Sequence, residues 1–130
     1  MNTTVADERR RKRSNDPLIA LHYQLAHART EGRFDALVVA DGSGVVVAGA
    51  GAWATCEELA AYAPLLAHGQ WTEPGLDDTS RVAQLRGQVD VQAVDVDGQT
   101  VLLCSRGGGR GTDAMDRAAA GVARILRVAA

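Results

Sequence analysis

Four glycines fall within five residues near the end of the sequence, where an apolar run leads into a helix-like stretch: "LLCSRGGGRGTDAM" at 102–115. A glycine-rich turn before a helix can hold a phosphate, because its backbone N–H groups turn toward the anion and the helix dipole favours negative charge. Arg106 and Arg110 flank the turn and add positive charge. One hypothesis is therefore a small-molecule or anion sensing domain that uses the turn from Gly107 to Gly111.

The other residues that phosphate chemistry needs are missing. A P-loop places a lysine directly before its serine or threonine, and the only lysine here is Lys12. A dinucleotide-binding fingerprint needs a second strand after the helix, for which the 130 residues leave no room. We therefore favour a steric explanation, in which the glycines form a turn that bulkier residues would strain and Thr112 or Asp113 caps the last helix.

Side chains that commonly perform catalysis are present, but their spacing does not form a catalytic site. Ser43 lies in a predicted hairpin turn with no histidine near it in sequence, whereas an activated serine needs a base beside it. Glu57 and Glu58, like Asp77 and Asp78, are neighbours in sequence, and adjacent side chains on a helix do not face each other. We predict that the protein is not an enzyme.

The histidines and cysteines do not form a metal site either. His22, His27 and His68 lack the spacing to Cys56 and Cys104 that zinc ligation requires. Two cysteines also make no disulfide framework, so a reducing, cytoplasmic compartment is expected. Both cysteines are predicted to be small core residues, and neither a metal nor a cofactor is expected.

Length and composition indicate one globular domain. The 130 residues are 46% hydrophobic and 23% charged, and no apolar run approaches the roughly 18 residues of a membrane span. Aromatic residues make up only 4% of the sequence. The core is therefore expected to consist largely of Ala, Val and Leu, and base-stacking surfaces for single-stranded nucleic acid are not expected.

Charge divides the sequence into a basic start and an acidic body. Residues 9–13 are five consecutive basic side chains, "RRRKR", and the tail at 1–16 has a net charge of +2. Residues 17–130 carry nine basic and thirteen acidic groups, a net charge of −4, which argues against a nucleic-acid role. We predict a disordered, solvated tail at 1–16 before a folded domain at 17–130. Basic runs of this kind also contact anionic lipid or nucleic acid in some proteins.

The folded part is predicted to open with a helix and a β-hairpin. Asp16 and Pro17 suit a helix start and Gly32 a helix stop. Apolar residues at three- and four-residue spacing predict the buried stripe of this helix: Leu18, Leu21, Leu25 and Ala28. Two apolar strands at 34–40 and 45–50 follow, and the Asp-Gly between them is a strong hairpin signal.

A second helix, three strands and a last helix complete the predicted domain. Thr55 and Glu58 suit a capping box at the start of the second helix. Pro64 is expected to kink or shorten that helix. Strands are predicted at 80–86, 88–96 and 99–105, although "SRVAQLR" at 80–86 also suits a helical turn. The last helix, at 112–128, has an apolar face of Met115, Ala118, Ala119, Val122, Ile125 and Leu126. The sequence predicts an α+β fold, a five-stranded, mostly antiparallel sheet with helices packed on it.

This order, with "FDALVVADGSGVVVAGAG" leading into "ATCEELAAYAPLLA", resembles the roadblock (dynein light-chain) domain family. The similarity lies in a strand that ends in Asp-Gly, a second apolar strand and a helix of the Glu-Glu-Leu-Ala type. It extends over about residues 34–128, and with the first helix over most of 17–128.

The resemblance implies a small, non-enzymatic scaffold that forms a homodimer and often regulates Ras-like GTPases. The second helix and the strand after it commonly form the dimer surface in that family. By this resemblance, four residues of the second helix would lie at the interface: Leu59, Tyr62, Ala63 and Leu66. The partners it implies are a second copy of the chain and a small Ras-like GTPase.

Overall fold

The computed structural model describes residues 16–67, 84–85, 87–108 and 113–129. The elements formed by the described residues are, in chain order, α1 (Pro17–Gly32), β1 (Phe34–Ala40), β2 (Val46–Ala50), α2 (Trp53–Ala67), β3 (Val89–Val96), β4 (Gln99–Gly107) and α3 (Ala114–Ala129). Helices therefore alternate with antiparallel pairs of strands, and the predicted α+β class is confirmed.

The sheet that the described residues form has four strands, in the order β2-β1-β4-β3, and each neighbouring pair is antiparallel. The fifth strand, predicted at 80–86, is not confirmed. Gln84 and Leu85 have helical backbone, and the other residues of that segment lie outside the described part of the chain. Leu85 is fully buried on the α2 side of the core, so its apolar side chain serves packing in a helical turn rather than strand pairing.

Helices cover both faces of the sheet. The side chains of β1 alternate between the faces: Leu37 and Val39 contact the core under α1 and α3, whereas Ala36, Val38 and Ala40 contact the core under α2. We call the first the two-helix face and the second the one-helix face. A strand covered on both sides needs a nearly continuous apolar sequence, which explains why β1 lacks the alternation of polar and apolar residues.

Both ends of α1 are determined by local chemistry. The Asp16 carboxylate accepts a hydrogen bond from the N–H of Ile19 at 3.3 Å, as expected of an N-cap. At the other end the left-handed residue is Arg33, with φ of 56°, one position after the predicted stop at Gly32. Gly32 is required for space instead, because a Cβ there would lie 2.3 Å from the Phe34 ring.

Two tight turns join the antiparallel strands, and both Asp-Gly predictions are confirmed. In the β1–β2 turn the Asp41 carboxylate accepts hydrogen bonds from the N–H groups of Ser43, at 2.8 Å, and Val45, at 3.0 Å. In the β3–β4 turn Asp97 and Gly98 have φ of 50° and 86°. Two consecutive positive values are the geometry of a type I′ turn, which matches the twist of the flanking strands.

The start of α2 differs from the prediction. The helix begins at Trp53, so Thr55 and Glu58 lie inside it and the predicted capping box is wrong. Gly51 has φ of 115°, and a Cβ there would be 2.8 Å from the Asp35 carbonyl oxygen. Because this glycine lets the chain turn sharply beside β1, the helix begins immediately after β2.

Pro64 lies inside α2 without ending it, since the helix continues to Ala67. Proline cannot donate the hydrogen bond that the Ala60 carbonyl would otherwise receive. The β1–β2 turn packs against the same group, because a Cβ on Gly44 would lie 3.2 Å from the Ala60 oxygen. The hairpin turn therefore lies against the helix where its hydrogen-bond ladder is interrupted.

Helices α1 and α3 pack antiparallel on the two-helix face. Near one end the guanidinium of Arg117 donates from Nε to the Glu31 carboxylate at 2.6 Å. Farther along, Gly121 lies so close to Gln24 that a Cβ there would be 2.6 Å from its side chain. Residue numbers rise along α3 as they fall along α1, so the start of α1 and the end of α3 lie at the same end of the molecule.

The start of α3 agrees with one of the two predicted caps. The Asp113 carbonyl accepts the first helical hydrogen bond, from the N–H of Arg117 at 2.9 Å. Thr112, the alternative cap, lies outside the described residues. The predicted apolar face of α3 is buried or half-buried against the sheet.

Candidate protein-interaction surface

The one-helix face contains the four residues predicted to form dimer contacts. Leu59 and Ala63 have no exposed surface, because they pack against the sheet in the core on this face. Tyr62 and Leu66, one helical turn apart, are half-buried, and Tyr62 packs against the margin of the same core. Of these four side chains, Tyr62 and Leu66 are the two that can touch another chain directly. The interface itself remains a prediction.

Half-buried apolar residues of β3 lie on the same face. Val89 and Val91 pack against the margin of the core under α2. Together with Tyr62 and Leu66 they form what we call the α2–β3 surface. Among the described helices, α2 is the one that lies along this side of the sheet, and it leaves these side chains with area that a second protein surface can bury.

Strand β3 also lies at one edge of the four-stranded sheet, so no other described strand pairs with its outer side. An edge of this kind can accept a strand from another chain through backbone hydrogen bonds. Two carboxylates stand on it: Asp90 is exposed, and Asp95 accepts a hydrogen bond from the Thr100 hydroxyl at 2.6 Å. Their negative charge disfavours an acidic strand at this edge.

The glycine-rich turn is described at its first two glycines. Gly107 and Gly108 have φ of 77° and 85°, and Cβ atoms there would lie 2.9 Å from the Asp35 carboxylate and 2.5 Å from the Phe34 ring. Positive φ and close packing account for both glycines. The Asp35 carboxylate, 3.8 Å from Nε of Arg106, also places negative charge where an anion would approach.

Cys56 and Cys104 are free and buried on the one-helix face, as predicted for small core residues. Burial raises the pKa of both thiols, that of Cys104 to about 12. Both are therefore protonated and poorly nucleophilic near neutral pH. Among the residues that the structure describes, no group of three His, Cys, Asp or Glu side chains is placed to hold a metal ion.

Other residues considered for chemistry have structural partners or lie outside the described chain. His22 donates from Nδ1 to the Gly49 carbonyl oxygen at 3.0 Å, which ties α1 to β2. Nε2 of His27 lies 3.2 Å from the Glu31 carboxylate. His68, Asp77 and Asp78 lie outside the described residues.

An apolar patch at the start of α1 is a surface that sequence periodicity missed. Leu18 is half-exposed although the predicted stripe included it, and Ile19 and Tyr23 are 40% and 69% exposed. We call these three residues the α1 patch. The buried stripe continues toward Gly32 instead. Ile19 and Tyr23 also stand four residues apart, and this spacing was the available signal that α1 carries a second apolar face.

Comparison with known proteins supports the fold. No protein-family model and no curated protein matches the sequence. Among solved structures, the chain is similar to Myxococcus xanthus MglB, with a TM-score of 0.56 and 13% sequence identity over 88% of this chain and 93% of that protein. At this identity the similarity shows that the two chains share a fold. No helix in the described part of the chain is long and apolar enough to cross a membrane.

Proposed function

We propose that this chain is a non-enzymatic, dimeric scaffold that regulates a small Ras-like GTPase in the cytoplasm. The observation that carries the proposal is the fold: the match extends over 93% of MglB, a GTPase-regulating protein of the roadblock-like type. It agrees with the roadblock resemblance of the sequence, which rests on different observations, namely the Asp-Gly hairpin and the helix that follows it.

The α2–β3 surface is the proposed dimer interface. Tyr62 and Val91 offer apolar area on the one-helix face, and β3 offers an edge for strand pairing. A twofold axis beside β3 would bring the same surface of a second copy against the first, as an isologous interface requires. Leu59 and Ala63 would support the interface without touching the second copy, because they hold α2 against the sheet.

Light scattering after size exclusion tests the dimer. The double variant Tyr62→Glu/Leu66→Glu is expected to elute as a monomer, because it would bury four carboxylates in a symmetric interface. Tyr23→Glu on α1 is the matched control and should stay dimeric. Circular dichroism confirms that each variant is folded. A wild-type protein that is monomeric at about 100 µM would contradict the dimer, since mass action favours association at high concentration.

A nucleotide-dependent pull-down tests the GTPase. The full chain is used as bait in lysate of its native cells, loaded with either GDP or a non-hydrolysable GTP analogue. We expect a Ras-like GTPase to be retained preferentially in one of the two states. The acidic body, with nine basic and thirteen acidic groups after residue 16, suits a basic partner, so association should weaken as salt rises. Recovery that is independent of nucleotide and salt would contradict this assignment.

The competing hypothesis is a small-molecule or anion sensor that uses the glycine-rich turn. The carboxylate of Asp35 beside Gly107 weighs against an anion there. A thermal-shift titration with phosphate and nucleotides compares the two functions, because a ligand that binds the native state raises its melting temperature. We expect no shift at saturating ligand. A shift that disappears in Arg106→Gln would favour the sensor.

A further inference from the structure

A pocket on the outer side of α1 faces helix α3. Gln24 lies against Gly121, and Glu31 pairs with Arg117, so this row of α1 side chains is the one that faces α3. The same row, at three- and four-residue spacing, supplies part of the pocket, and the exposed top of α1 supplies the rest. The described residues that line the pocket are Ile19, Ala20, Tyr23, Gln24 and His27.

Small and basic residues of α3 lie opposite the pocket. Arg117 and Gly121 contact α1, and Arg124 follows one turn after Gly121 on the same side of α3. Gly121 has no side chain and Ala120 a short one, so the surface of α3 is low between the two exposed arginines. We call the pocket, together with Arg117, Gly121 and Arg124, the α1–α3 groove.

The groove exposes apolar area on its α1 side. Ile19 and Tyr23 are 40% and 69% exposed, and both belong to the α1 patch. They stand one helical turn apart. Apolar side chains at this spacing are what a docked amphipathic helix buries, since its own apolar residues recur every three or four positions.

The helical segments that form the groove are free of acidic residues. No Asp or Glu occurs at 17–30 or at 117–130. At the two ends of the groove the nearest carboxylates are already engaged, because Asp16 caps α1 and Glu31 pairs with Arg117. Residues 17–130 as a whole carry a net charge of −4, so the groove differs in charge from the rest of the domain.

Arg124 is the arginine of the groove with the least local compensation. It is exposed and has no acidic residue within one turn on either side along α3. Arg117 is bound to Glu31. Arg127, one turn farther along, has its Nε 4.0 Å from Oδ1 of Asp97. We therefore expect Arg124 to supply most of the positive charge that a ligand in the groove meets.

We propose that the α1–α3 groove binds an acidic amphipathic helix of another protein. The apolar side chains of that helix would cover Ile19 and Tyr23, and its carboxylates would meet Arg124. A third helix suits this position, because ridges of side chains pack into the groove between two helices. The site lies on the two-helix face, so a protein bound at the α2–β3 surface would leave it accessible.

Peptide selection from a random phage-displayed library tests the proposal. The full chain is the bait, and the library is first depleted on the variant Ile19→Ser/Tyr23→Ser, so that peptides bound elsewhere are removed. We expect the enriched peptides to have apolar residues three and four positions apart and an excess of Asp and Glu. A failure to enrich any peptide, or enrichment without an acidic excess, would overturn the proposal.

Fluorescence anisotropy with the strongest selected peptide tests the role of charge. Arg124→Glu should weaken binding about tenfold at low salt and less at high salt. The matched control is Arg33→Glu, which makes the same charge reversal at an exposed site beyond the other end of α1 and should bind like the wild type. Trp53→Ser, which removes an exposed aromatic side chain from α2, should also leave binding unchanged. Melting temperatures verify that the variants are folded.

Two results of these measurements would also overturn the proposal. One is a loss of binding in Arg33→Glu as large as that in Arg124→Glu, because the attraction would then reflect net charge rather than the groove. The other concerns duplex DNA as a competing probe. DNA that binds more tightly than the peptide, and that needs Arg124 but not Tyr23, would assign the groove to nucleic acid.

Discussion

The strand β1, inside the sheet, presents side chains of different size to the two faces. Under α1 and α3 the core contains Phe34 and several fully buried leucines, including Leu21, Leu25 and Leu37. Under α2 most buried residues are small, and β1 presents only Ala36, Val38 and Ala40 there. The leucines of the core under α2 lie on other elements, for example Leu59 on α2 and Leu102 on β4, so the difference in size is a property of β1.

The difference in size implies a difference in sensitivity. Large buried side chains leave cavities when they are shortened. Small, closely packed ones have no room for added atoms. We expect the two-helix face to be sensitive to truncation and the one-helix face to enlargement, and the following changes test this comparison in order of expected effect.

Truncation on the two-helix face should have the largest effect. Leu37→Ala removes a fully buried side chain from the central strand and is expected to lower the free energy of unfolding by about 2–5 kcal/mol. Leu18→Ala makes the same chemical change at a half-exposed site and should cost less than about 1 kcal/mol. Urea denaturation measures both variants. Equal losses for the two leucines would contradict the burial pattern.

Enlargement on the one-helix face comes next. In Gly49→Ala the new Cβ would lie 2.9 Å from Sγ of Cys56, which should cost about 1–3 kcal/mol of unfolding free energy. Gly42→Ala meets no atom within 4 Å and serves as the control. The double variant Gly49→Ala/Cys56→Ala should recover part of the loss, because it removes the sulfur. If the losses of the two single variants simply add in the double variant, the new methyl group does not clash with the Cys56 sulfur, and the strain in Gly49→Ala has another source.

Alkaline pH should destabilise the one-helix face through Cys104. Burial raises its pKa from 9.0 to about 12 in the folded state, so above pH 9 the unfolded chain loses a proton that the folded chain keeps. The contribution of the thiol to stability is complete below pH 9. It should fall by about 1 kcal/mol per pH unit toward pH 12. Denaturation at stepped pH measures the slope, and Cys104→Ala, with no thiol to titrate, should show a shallower one.

The ion pair between the two helices should have the smallest effect. The hydrogen bond from Arg117 lowers the pKa of the Glu31 carboxyl. The ionised carboxylate therefore contributes to folding stability at pH values above the ordinary carboxyl pKa, and this contribution is lost as pH falls through the lowered pKa. Glu31→Gln should therefore show a smaller drop in melting temperature between pH 7 and pH 3 than the wild type. Glu57→Gln, an exposed glutamate on α2, is the control and should behave like the wild type.

How far the sequence predicted the fold differs between elements. Both Asp-Gly turns and the apolar face of the last helix followed from local patterns, since those patterns reflect backbone geometry and burial directly. The start of α2 did not, because it depends on Gly51 passing close to β1, a contact between distant parts of the chain. The exposure of Leu18 depends similarly on where α1 crosses the sheet.

The candidate site was predictable only in part. The resemblance pointed to α2, but residue type could not separate Leu59, which packs inward, from Tyr62, which is half-exposed. Hydrophobic side chains form both cores and interfaces, and only the orientation of the helix distinguishes them. The contribution of Val89 and Val91 likewise depends on which strand lies at the edge of the sheet.

The antiparallel packing of α1 and α3 has a consequence for how the domain can be tethered. The chain enters at Asp16 and leaves α3 at the same end of the molecule, in the layer opposite α2. A fluorophore or an affinity handle attached next to Asp16 or next to Ala129 would lie beside the two-helix layer. Immobilising the protein on a sensor chip by either end should leave α2 facing the flow, and kinetics recorded in the two orientations should agree.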